Sequence, residues 1–108
     1  MKTRIFHCIV ALGFGLALGQ AADSEAKARV KLTFDVAKRF FRDGMFTTAV
    51  ERFDAFARMH PGSPHHAEAV LLEGQARFQL GQFEGVAEEL TAGLQTAGPW
   101  ADRYLFWI

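Results

Sequence analysis

Three histidines, His60, His65 and His66, gather with Glu68 around the segment Met59-His60-Pro61-Gly62-Ser63-Pro64. Imidazole and carboxylate are the ligands that zinc, copper or nickel prefer, so this cluster is the first candidate for chemistry. Its spacing matches no standard zinc motif. With His60 ending one helix and His65 and His66 in the first turn of the next, exposed linker histidines are the competing reading. The adjacent acids Glu88 and Glu89 project to different faces of a helix, which suits surface charge better than a cooperating acid and base. No glycine-rich phosphate loop, nucleophile elbow or HExxH is present. Cys8, the single cysteine, lies in an N-terminal apolar run, so a chain cleaved after that run has no thiol for disulfide, metal or nucleophile. These residues point to a protein that is not an enzyme and needs no cofactor.

The elements that would position them read as helices. The N-terminus carries Lys2 and Arg4, an apolar run from Ile5 to Leu18, and small residues around Gly19 and Ala21. That is the layout of a secretory signal peptide over residues 1–21, with cleavage after Gly19 or Ala21. The run is shorter than the ~20 residues a membrane helix needs, which leaves an uncleaved anchor as the alternative and no transmembrane span after cleavage. His7 before Cys8 argues against lipidation, since a lipoprotein signal needs a small residue there. Twelve basic residues balance twelve acidic ones, so nothing suggests a nucleic-acid partner. Eleven phenylalanines against one tyrosine favour packed apolar seams.

Residues 22–108 then divide into helical hairpins. Asp23 or Ser24 caps a first helix from about Glu25 to Asp43, with Val30, Thr33, Phe34, Ala37, Phe40 and Phe41 as its apolar stripe. Gly44 stops it, and Phe46 starts a second helix that carries Ala49, Val50, Phe53, Phe56 and Ala57 to the stop at His60-Pro61. Ser63-Pro64 opens a third helix with Ala67, Val70, Leu71, Gly74 and Phe78, and Gly81 breaks it. A fourth helix follows with Phe83, Val86, Ala87, Leu90 and Leu94, and a fifth begins near Trp100. Gly44 and Gly81, Phe46 and Phe83, Ala49 and Val86, Phe53 and Leu90, and Pro61 and Gly98 are each 37 residues apart. Preserved spacing of a glycine, an aromatic and a small residue predicts a duplicated unit.

This unit resembles the tetratricopeptide repeat, a helix-turn-helix with a period of about 34 residues. Ala37, Phe40, Gly44, Phe46, Ala49, Phe53 and Pro61 match the family pattern, and the second copy keeps Gly74, Phe78, Gly81 and Phe83. It departs at Arg77, Val86 and Gly98, where an aromatic, alanine and proline are usual. The resemblance implies an all-α, right-handed solenoid with repeats at about 25–61 and 64–98 and a third, truncated one from 99. The linker Met59-His60-Pro61-Gly62-Ser63-Pro64 is similar to linkers of Gram-negative envelope proteins of this family, among them the outer-membrane assembly lipoproteins and the periplasmic accessory protein of the Tol-Pal system. By the same resemblance, a partner groove would be lined by Lys31, Phe34, Lys38, Phe41, Arg42, Leu71, Gln75, Phe78 and Gln79. Aromatics alternating with basic side chains suit a peptide or protein bearing acidic groups. Phe34, Phe41 and Phe78 fit a packed core equally well. The expectation is a periplasmic interaction scaffold, with an adaptor domain of a larger envelope enzyme continuing past Ile108, or a helical metal binder, as alternatives. The apolar end Tyr104-Leu105-Phe106-Trp107-Ile108 would serve a continuing array or self-association.

Overall fold

A computed structural model describes the backbone of residues 2–108 and the side chains from residue 22 onward. The side chains of the expected signal segment, Cys8 included, lie outside the described residues. The chain forms two compact units, Met1–Val30 and Lys31–Ile108. Its regular structure is entirely helical among the described residues: α1 (Lys2–Arg42), α2 (Phe46–Met59), α3 (His66–Gln79), α4 (Val86–Gly93) and α5 (Ala101–Trp107). Two single 3₁₀ turns, Leu94–Thr96 and Gly98–Trp100, connect α4 to α5. None of the described helices is long and apolar enough to cross a membrane.

The helix expected to begin near Glu25 has no start there, because α1 runs straight through Asp23 and Ser24. No glycine or proline interrupts residues 20–43, and Ala-rich sequence favours helix over a capped break. An exposed Arg29–Glu25 ion pair at 3.5 Å lies one turn along this stretch.

Within Lys31–Ile108, α1 and α3 end in the same way. Gly44 (φ 77) donates its N–H to Phe41 O at 3.1 Å, and Met45 donates to Phe40 O at 2.9 Å. Gly81 (φ 76) donates to Phe78 O at 3.1 Å, and Gln82 to Arg77 O at 2.9 Å. Both are Schellman caps, in which a left-handed residue turns the chain and satisfies carbonyls the helix leaves free. Between them, α2 ends at His60 before Pro61. Ser63 does not cap the next helix, whose N-cap is His65 with no side-chain cap bond; it closes the turn before it, its Oγ accepting from His65 N–H at 3.1 Å and its carbonyl from His66 N–H at 3.1 Å. Regular α-helix starts only at His66, two residues after Pro64.

The second hairpin departs from the first. Phe83 lies before α4 rather than within it, because Gly85 has φ 79, a left-handed conformation that a helix cannot run through. Leu94, expected in the same helix, falls in the 3₁₀ turn that follows. Phe83 is therefore 58% exposed, with one ring contact to Phe78 at 4.7 Å. It does not fill a gap beneath the turn as Phe46 does, half-buried against Phe41 at 5.5 Å.

The helices pack in sequence, α2 on α3, α3 on α4 and α4 on α5. Phe34 of α1 meets Phe53 and Phe56 of α2 with ring centroids 6.1 and 5.3 Å apart, beside fully buried Ala37 and Ala49. Farther along the chain, Leu71, Val86, Leu90, Ala97 and Tyr104 form a second core cluster. Burial of each such large side chain contributes about 1.5–3 kcal/mol. Close approach is built in at Gly74, where an added Cβ would stand 3.3 Å from Val86 Cγ1, and at Gly93, where it would meet Tyr104 Cε2 at 3.2 Å. The Tyr104 hydroxyl donates to the carbonyl of Ala67 at 2.5 Å, fastening α5 to the start of α3.

Candidate functional site

Helical spacing sets Lys31, Lys38 and Arg42 of α1 on one side of that helix. Lys31 and Arg42 are exposed. Lys38 is half-buried, with its Nζ 3.3 Å from Glu68 Oε1 and 5.3 Å from the centre of the Phe34 ring. Its charge is thus answered by an acid in the first turn of α3, where the helix dipole also favours a carboxylate. Lys38 ties α1 to α3, whereas its neighbours on the same face offer their charge to solvent.

Two of the nine expected groove residues are core. Phe34 is 2% and Leu71 1% exposed, so neither presents surface to a partner. Phe34 is enclosed by Phe53, Phe56 and His65, and Leu71 sits in the cluster with Leu90 and Tyr104. Phe41 is half-buried against Phe46 and Phe53. Gln75 is half-buried and Gln79 exposed, while Phe78 shows nearly half its surface beside Phe83 and Trp107. The accessible part of the expected lining is therefore Lys31, Phe41 and Arg42 on α1 with Gln75, Phe78 and Gln79 on α3.

The three histidines do not converge. His65 stacks on Phe34 with centroids 4.8 Å apart and planes at 15°, and His60 tilts against Phe56 at 5.1 Å. His66 Nδ1 is buried with no hydrogen-bond partner. No group of three possible metal ligands forms among the described residues. Two of the imidazoles are held by different core aromatics, which separates donors that the sequence places close together.

The residue that sequence reasoning missed is Glu73 of α3. It is 1% exposed, and its Oε1 accepts two hydrogen bonds from Arg77, from Nε at 3.1 Å and Nη2 at 2.9 Å. Its Oε2 has no hydrogen-bond partner. Burial pushes its pKa up from 4.5 to about 7; the Arg77 hydrogen bonds pull the other way, and the carboxylates of Glu89 on α4 and Asp54 on α2 add to the rise. The i,i+4 spacing to Arg77 was the available signal. Two clefts lie apart from Glu73: one of about 360 Å³ is lined by Gly81, Gln82, Phe83 and Glu84, and one of about 320 Å³ lies between the Pro61–Ala67 and Thr96–Trp100 segments. Glu88 is exposed and Glu89 half-buried, and the charge of Glu89 joins burial in raising the Tyr104 hydroxyl to about 12.

No protein-family model, curated protein or solved structure matches the sequence.

Proposed function

We propose that the chain is a non-catalytic protein-interaction scaffold of tetratricopeptide type, working in the bacterial cell envelope. It binds an acidic peptide or protein segment along the accessible faces of α1 and α3. The observation that carries this reading is agreement at a fixed offset of 37 residues. Both Schellman caps stand at that spacing, and so do four pairs of buried positions: Phe34 and Leu71, Ala37 and Gly74, Ala49 and Val86, Phe53 and Leu90. Tyr104 and Ala67, joined by the hydroxyl bond, are also 37 residues apart. The binding face follows the same offset, since Phe41 and Phe78, and Arg42 and Gln79, take matching places on α1 and α3. Lys31 and Arg42 supply its open positive charge, and Phe78 supplies its apolar contact. Placement in the envelope, and in the periplasm in particular, rests on the basic-then-apolar pattern of residues 1–21.

The test is a peptide array graded in acidity, probed with the full chain and with Lys31→Glu/Arg42→Glu. Reversal of both charges should remove retention on acidic peptides while leaving the unfolding curve unchanged, because both side chains are exposed. An unchanged retention pattern would reject the groove.

A further inference from the structure

Leu32 and Val36 of α1 stand one turn apart on an outward face, with Leu32 63% exposed. Their counterparts 37 residues on, Ala69 and Glu73, are buried in α3, which packs on α2 and feels the Asp54 carboxylate of that helix. A face that is covered in α3 is thus bare in α1. A second bare apolar face lies on α5, where Leu105 and Phe106 are exposed, Phe106 by 80%. Its ring joins an edge-to-face series through Trp107 and Phe78 to Phe83, with centroids 5.7, 5.1 and 4.7 Å apart.

We propose that copies of this chain stack end to end, with α5 of one copy covering the Leu32–Val36 face of the next. Charge selects this pairing over the two symmetric ones. Arg39 shares the face of Leu32 and Val36 at helical spacing, and Asp102 shares the face of Leu105 and Phe106. Either face docked on itself would oppose like charges, and only the mixed contact sets Arg39 against Asp102. A contact between two different faces leaves one face of each kind free on a pair of copies, so it continues into a row or a ring. It uses neither Lys31 nor Arg42, the charges whose reversal tests peptide binding, so loss of peptide retention in that variant would leave it standing.

The experiment puts p-benzoylphenylalanine in place of Leu32 in the purified full chain, and in a second protein in place of Phe106. Illumination of the first should give adducts of two or more copies whose cross-linked peptides contain residues 102–108, and the second should react with residues 32–39. Arg39→Glu should lower the yield about threefold, the size expected of an exposed ion pair, and adding Asp102→Arg to the same chain should restore it. Adducts confined to like faces, no adduct between copies from either probe, or no rescue by the double reversal would overturn the proposal.

Discussion

Replacing Glu73 with glutamine tests the buried carboxylate directly. The folded chain holds its proton up to about pH 7, whereas the unfolded chain releases it near 4.5. A raised acid pKa means that the folded state binds more protons than the unfolded state across this interval. Stability therefore falls as pH rises from about 4.5 to 7 and levels off above. With about 1.4 kcal/mol per pH unit of pKa difference, the loss between pH 5 and 8 is about 2 to 3 kcal/mol. At 1% exposure, solvent screening does little to reduce it. Glutamine has nearly the same shape, keeps an oxygen to accept from Arg77, and cannot ionise. Glu73→Gln should gain on the parent by that amount between pH 5 and 8. Urea unfolding followed by the fluorescence of Trp100 and Trp107 measures both proteins, and whatever else varies with pH in both cancels in the difference. A difference that stays constant within about 0.5 kcal/mol over this range would refute the assignment of a protonated, buried Glu73.

Two further substitutions probe the packing around it. Tyr104→Phe removes the hydroxyl that donates to Ala67, and should cost about 1 kcal/mol in the same urea titration; equal stability would mean the bond contributes nothing net. Gly74→Val forces its branch against Val86 Cγ1, 3.3 Å from the Cβ position, and against Leu90, and should cost about 1–3 kcal/mol, with Gly74→Ala milder because alanine recovers helix propensity. A valine variant as stable as the parent would show that α3 and α4 are not held at contact distance there.

The parts of this fold that can be read from sequence are those where residue type alone decides geometry. Gly44 and Gly81 mark helix ends because each needs a positive φ, and Pro61 ends α2 by restricting His60. Asp23 and Ser24 misled because capping residues only permit a start, and nothing before them breaks the helix. Gly85 gave no warning, since a lone glycine in a helical pattern is tolerated until the backbone takes φ 79. The site was legible in part for a different reason. Helical spacing tells which residues share a side of a helix, as Lys31, Lys38 and Arg42 do on α1, but not which neighbour covers it. Phe34 and Leu71, expected in the lining of a groove, are core instead. Lys38 found an acid in another helix, a long-range pairing with no local trace. Glu73 escaped because an acidic residue on a helix is by default surface charge, and only tertiary packing closes over it.

The left-handed Gly85 also bears on how the chain avoids misassembly. Two stretches with matching glycines, aromatics and small residues 37 positions apart could exchange places during folding, each docking where the other belongs, and such register errors are a kinetic trap of repetitive chains. Gly85 corresponds to Thr48 in the first turn of α2, so a helix begun at Phe83 would have to cross its least helical residue. The α4 segment is thereby a poor impostor for the fourteen-residue α2. Divergence at one backbone position labels each stretch for its own slot.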